Sequence, residues 1–120
     1  MRPTRQRLAL ADLLFSGMDR HVTPERLHEE ALAKGVRVSL ATVYNCLHQF
    51  TEAGLLRQIA IDAKHGYFDT NTSAHHHFFR EDEASLVDIP GEALQLHGIP
   101  DAPEGLDVKR VDVIIRIARR

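Results

Sequence analysis

The sequence predicts an α+β protein: three short amphipathic helices, a β-hairpin, and then a smaller β-rich segment. Three observations carry that expectation. Apolar residues recur at three- and four-residue steps up to about Phe50, and the stretches are punctuated by capping residues and glycines. Beyond Gly54 the apolar residues come instead in short β-prone runs. With 120 residues, 43% hydrophobic but only 6% aromatic, the chain can bury one modest core or two small ones.

Thr4 is a candidate cap for a first helix running to about Phe15, with Leu8, Ala11, Leu14 and Phe15 along one face and Gly17 as its stop. In HVTPERLHEEALAKG, Thr23 is a good N-cap and Pro24 suits the first helical position. Glu25 complements the positive end of the helix dipole, and Gly35 offers a left-handed terminus, so a second helix ends near Lys34. VSLATVYNCLHQFTEAG repeats the arrangement with Ser39 as cap and Gly54 as stop, and Leu40, Val43, Leu47 and Phe50 form its apolar stripe. LLRQIAI and YFD, separated by the polar DAKHG, read as the two strands of a hairpin.

Three helices followed by a hairpin is the winged-helix order, in which the last helix lies in the major groove. At about 100° per residue, Ala41, Thr42, Asn45, His48 and Gln49 fall opposite the apolar stripe, with Tyr44 and Cys46 on its flanks. Asn and Gln can pair with adenine, and Ala or a Thr methyl can meet a thymine methyl. The same pattern also describes an ordinary amphipathic helix with a polar solvent side.

Charge and composition narrow the partners. Residues 1–64 carry nine Lys/Arg against seven Asp/Glu, whereas residues 65–120 carry six against ten. A mildly basic first half that opens with Arg2, Arg5 and Arg7 suits an anionic polymer, or is simply a solvated basic end. There is no apolar run long enough to span a membrane and no signal-peptide pattern at the N-terminus, so a cytoplasmic protein is expected. The single cysteine, Cys46, cannot build a Cys-x-x-Cys zinc clasp, so any metal must use His and carboxylate ligands.

SAHHHFF, residues 73–79, places His75, His76 and His77 in a row. On a strand, His75 and His77 point to one face and His76 to the other. SLVDIP, residues 85–90, reads as a partner strand across the turn EDEA, and Asp88 can add a carboxylate. Such a set suits zinc, iron(II) or manganese(II). Two solvated histidines are the alternative. RVDVIIRIARR reads as a last strand, and its mix of alternation with a continuous apolar run is also what a buried central strand would show.

VSLATVYNCLHQFTEAGLL resembles the recognition-helix segment of the ferric uptake regulator family, and RPTRQR before the first helix and YFDTNTSAHHHF after the wing extend the likeness over nearly the whole chain. The resemblance implies that Tyr44 reaches into DNA and that the N-terminal arginines contact its backbone or minor groove. Asn45 stands where the family commonly has arginine, which implies a different preferred operator. It also implies a regulatory metal site made of His21, Asp69, His75, His77 and Asp88. The loop before the histidines is one residue shorter than is typical, which bears most on Asp69.

Two family features are missing. Arg80 to Glu83 hold no Cys-x-x-Cys, so no structural zinc is expected, and only His76 of the second family site matches, Ala74 standing where it needs a histidine. The histidine row, the lack of cysteine pairs and the short second half resemble the iron response regulator subgroup, which responds to haem and controls genes of haem synthesis and iron storage. Cys46 is followed by Leu47, so the subgroup's Cys-Pro haem motif is missing and His75, His76 or His77 must carry any haem response.

The expectation is therefore a homodimeric repressor, iron- and haem-responsive, that binds an AT-rich inverted repeat. Residues 1–69 form the DNA-binding domain, 70–74 a hinge, and 75–120 the dimerisation and sensing domain. The alternatives are a zinc, manganese or peroxide sensor of the same family and, more distantly, a metal-dependent hydrolase, against which the lack of a His-Glu-x-x-His pairing counts. No enzyme activity is expected.

Overall fold

The computed structural model describes residues 3–63, 66–73 and 75–120. The chain divides into two compact units, Met1–Thr72 and Ser73–Arg120. Arg2 and His65 lie outside the described residues.

The first unit contains α1 (Pro3–Phe15), β1 (His21–Val22), α2 (Pro24–Ala33), α3 (Leu40–Glu52), β2 (Arg57–Ala60) and β3 (Gly66–Asp69). The Thr23 hydroxyl accepts the Arg26 N–H at 3.1 Å, and the Ser39 hydroxyl accepts the Thr42 N–H at 3.1 Å, so both predicted caps close their helices. Gly35 and Gly54 adopt φ of 77° and 81°, the left-handed geometry that ends a helix without a Cβ clash. Thr4 does not cap α1. The helix already includes Pro3, whose missing N–H costs nothing in a first turn.

Leu10 and Leu14 of α1, Leu27 and Ala31 of α2, and Val43, Cys46, Leu47 and Phe50 of α3 form one core with Val22, Val38, Leu56 and Phe68. Three predicted core positions are displaced. Leu8 is 66% exposed, Phe15 is 39% exposed with its ring edge-on to Phe50 at 5.8 Å, and Leu40 is 36% exposed. In LALADLLF nearly every side chain is apolar, so periodicity alone does not select the face; packing chooses Leu10 and Leu14, one turn apart. Cys46, assigned to a flank, is buried.

The wing has a strand that the sequence did not announce. The two-residue β1 pairs with β3, giving the antiparallel order β1-β3-β2. Its register aligns His21 with Asp69 and Val22 with Phe68, while β2 aligns Arg57 with Asp69 and Gln58 with Phe68. Directly opposed residues share a face. Val22 and Phe68 therefore join the helical core, and His21, Asp69 and Arg57 line the opposite face with Ile59 and Tyr67.

In the second unit, β4 (His76–Arg80) pairs antiparallel with β5 (Ser85–Ile89) and parallel with β6 (Ile114–Ile117), in the order β5-β4-β6. Ala84, at φ 49°, closes the β4–β5 turn. The last strand is an edge strand rather than a buried central one, with Ile115 and Ile117 each 37% exposed. No helix among the described residues is long and apolar enough to cross a membrane.

Candidate metal ligands and groove-facing residues

In the first unit, His21 is delivered by β1, and β1 is held by its neighbour Arg20. The Arg20 N–H donates to the Thr70 hydroxyl at 2.9 Å, and the Thr70 N–H donates to the Arg20 carbonyl at 3.0 Å. The Arg20 guanidinium donates to both oxygens of Glu30 at 2.8 and 2.6 Å, and to the Leu13 carbonyl at 3.3 Å. One side chain thus ties the end of α1, the middle of α2 and the start of β1 together. These hydrogen bonds, with the charge of Arg20 beside it, hold the Glu30 carboxyl below its ordinary range, and the Arg20 pKa is raised in return. Asp69, directly across from His21, is 1% exposed, and its Oδ1 accepts the Asn71 N–H at 2.9 Å.

In the second unit, strand alternation brings His75 and His77 to one side, with ring centroids 4.4 Å apart. Their Nε2 atoms lie 3.4 and 3.3 Å from the same oxygen of Asp88, which β5 presents opposite His77. His75 Nδ1 sits 2.7 Å from the Ser73 carbonyl. A carbonyl can only accept, so Nδ1 carries the proton and a neutral His75 offers the lone pair of Nε2 toward Asp88. Metal-ligating histidines are oriented by this same kind of bond from the other ring nitrogen to a carbonyl. Two imidazole nitrogens and a carboxylate oxygen form a borderline donor set that fits a divalent transition ion and leaves positions open for further ligands.

His76 points elsewhere. Its Nδ1 lies 3.0 Å from the Val113 N–H, which can only donate, so Nδ1 accepts and a neutral ring keeps its proton on Nε2. That bond fastens β4 to the residue preceding β6. In the turn after β4, Arg80 pairs with Asp82 at 3.0 Å and Glu83 at 3.1 Å, at the place where cysteines are missing from the sequence.

On α3, Ala41, Tyr44, Asn45, His48 and Gln49 are exposed, and Thr42 is half-buried with its hydroxyl bonded to that of Ser39 at 2.9 Å. Arg5 and Arg7 are exposed on α1. The Tyr44 hydroxyl donates to Glu25 at 2.8 Å, an interaction that raises the pKa of the phenol. His48 stacks edge-on against Phe68 at 5.6 Å. Together Glu25, Tyr44, His48, Gln58 and Phe68 line a groove of about 270 Å³ between the start of α2, the outer face of α3 and the wing.

Sequence reasoning missed Arg20, Glu25 and Arg57. The signal for Arg57 was present as a charge alternating with Ile59 on a strand, but which face would be buried was not readable there. His28 places its Nε2 2.9 Å from the Val38 carbonyl.

The family model described as the ferric uptake regulator family matches residues 1–97. The ferric uptake regulation protein of Pseudomonas aeruginosa is 32% identical over 90 residues, covering 74% of this chain and 67% of that protein. The peroxide operon regulator of Bacillus subtilis is 34% identical over 89 residues, covering 74% and 61%. The match spans 67% of the length of the first of these relatives and 61% of the second. Among solved structures, the ferric uptake regulator from Francisella tularensis with iron superposes with a TM-score of 0.76 at 20% identity, covering all of this chain and 92% of that one. That likeness shows a shared fold, winged helix and β-rich second part included.

Proposed function

The chain belongs to the ferric uptake regulator family, and we propose that it is a metal-responsive, DNA-binding transcriptional regulator acting as a homodimer. The observation that carries this reading is the convergence of the His75 and His77 Nε2 atoms on Asp88 Oδ1, with His75 oriented by the Ser73 carbonyl. These three would hold the ion, joined by His21 and Asp69 as the family resemblance implies. A bound Fe2+, Mn2+ or Zn2+ supplies bonds that order its ligands, and DNA affinity can follow occupancy when the two states differ in freedom. The DNA side of the reading assigns Ala41, Thr42, Tyr44, Asn45 and His48 to the groove and Arg2, Arg5 and Arg7 to the DNA backbone or minor groove. Domain limits of 1–69, 70–74 for the hinge and 75–120 accompany it, as does a cytoplasmic location.

The finer reading is an iron- and haem-responsive regulator like the iron response regulator subgroup. Supporting it are the histidine row and a β4–β5 turn built on Arg80 ion pairs rather than cysteines. Ligation of haem by His76 Nε2 requires the ring proton to move to Nδ1, which ends acceptance from Val113. Haem binding there would therefore loosen the attachment of β6. The peroxide-sensing alternative rests on the likeness to the Bacillus subtilis regulator; against the hydrolase alternative, the sequence holds no His-Glu-x-x-His pairing.

The deciding experiment titrates metal-free protein separately with haemin, Fe2+, Mn2+ and Zn2+ while measuring binding to an AT-rich inverted repeat. At least one ligand is expected to change specific affinity by about tenfold or more. His75→Ala with His77→Ala should abolish the response to the divalent ions, and Tyr44→Ala should erase sequence preference while leaving metal binding intact. DNA affinity left unchanged from the metal-free protein by all four ligands would overturn the reading.

A further inference from the structure

We propose that Arg57 is the resident counter-cation of the Asp69 carboxylate: it helps hold Asp69 in place without metal, and it weakens the hold on any divalent ion that Asp69 ligates. The inference rests on the reading of Asp69 as a ligand. Register sets it up. Asp69 lies on the central strand of the wing sheet, with His21 directly opposite on β1 and Arg57 directly opposite on β2. All three side chains project from one face, neighbours being separated by about 5 Å at Cβ.

Arg57 is 4% exposed and Asp69 1% exposed. Guanidinium keeps its charge at any ordinary pH, and a buried carboxylate far from a cation loses its hydration without compensation. A register that sets the two residues opposite each other on adjacent strands offsets part of that loss in the metal-free state. The Asn71 N–H fixes one oxygen of Asp69, so the carboxylate is oriented before any ion arrives. Once a divalent ion is bound, the same guanidinium is a like charge at close range in a poorly screened setting. A site built this way exchanges its ion with supply, whereas a site of the same ligands without the arginine would retain it.

The test compares wild type with Arg57→Met, Arg57→Gln, Arg57→Lys and Asp69→Asn, measuring Zn2+ and Mn2+ affinity by chelator competition and melting temperature with and without ion. Arg57→Met is expected to bind about tenfold tighter or more, to melt lower than wild type without metal, and to gain more on adding it. Arg57→Lys should stay within about threefold of wild type, because it keeps the charge. Where Arg57→Met does not fold without metal, Arg57→Gln, which keeps polar contacts, gives the same comparison. A folded Arg57→Met or Arg57→Gln that binds equally or more weakly overturns the inference. If Asp69→Asn then still loses affinity, the ligand reading stands alone; if Asp69→Asn binds as wild type does, both fall.

Discussion

The two units solve the problem of a small core in opposite ways. Met1–Thr72 closes a continuous core from three helices and one face of a three-stranded sheet, and its helix ends are capped by its own side chains. Ser73–Arg120 has a three-stranded sheet and a long connection, residues 94–113, without regular structure. Leu96, Ile99, Leu106, Val108 and Val111 on that connection are exposed, as are Ile115 and Ile117 on the edge strand. Exposed apolar side chains on a strand whose outer edge is unpaired are what an association surface looks like before association. The contrast teaches that stability in the first unit is internal, whereas in the second it is expected to come from a second copy.

The largest expected effect attacks the second unit. Ile115→Asp with Ile117→Asp puts two charges on the open edge and should weaken the dimer by about a hundredfold or more, since a buried unpaired charge costs several kcal/mol. Sedimentation over a range of concentrations measures it, and an unchanged dimer would place the association surface elsewhere. Next comes the core of the first unit. Leu47, fully buried, should cost about 2–5 kcal/mol when changed to Ala, with no dependence on protein concentration. Leu106→Ala, at an exposed position, should instead alter melting only in a concentration-dependent way, through the dimer. If both variants behave alike in thermal melts run at two concentrations, the distinction between the units is lost.

The smallest effect concerns the Arg20 brace. Glu30 has a folded-state pKa below its unfolded value, chiefly because Arg20 donates hydrogen bonds to it. The unfolded state therefore binds the proton more readily, and the stabilisation is complete above the ordinary carboxylate range and lost as pH falls through the lowered value. Glu30→Gln should cost about 1 kcal/mol near neutral pH, a modest figure because both side chains are about a quarter to a third exposed. The difference from wild type should shrink steadily on acidification, as denaturant melts at several pH values will show. A pH-independent difference would mean that Glu30 acts by packing rather than by charge.

Much of the first unit was legible because its signals are local. Thr23, Pro24, Ser39, Gly35 and Gly54 mark helix ends by the geometry of one turn, and the strand at 76–80 announces which histidines share a side by alternation alone. The pairing of His75 and His77 with Asp88 needed only a hairpin register across the short EDEA turn. Where every residue of a stretch is apolar, as along α1, local pattern is degenerate, and Leu10 rather than Leu8 is buried because neighbouring helices occupy that side.

Helix ends, the period of each segment and the sidedness of the histidine row were written in the chain, since each depends on residues within a few positions of one another. Three things were decided only in the folded molecule. The two-residue β1 has too few residues to show a period, and it exists because β3 offers it a hydrogen-bonding edge. Arg57 and Asp69 are twelve positions apart and become neighbours only through the β2–β3 register, which turns a strand arginine into a buried charge beside a carboxylate. Arg20, just before β1, meets α1, α2 and the residue that follows β3 through partners 7, 10 and 50 positions away, distances at which no pattern in the sequence specifies who meets whom.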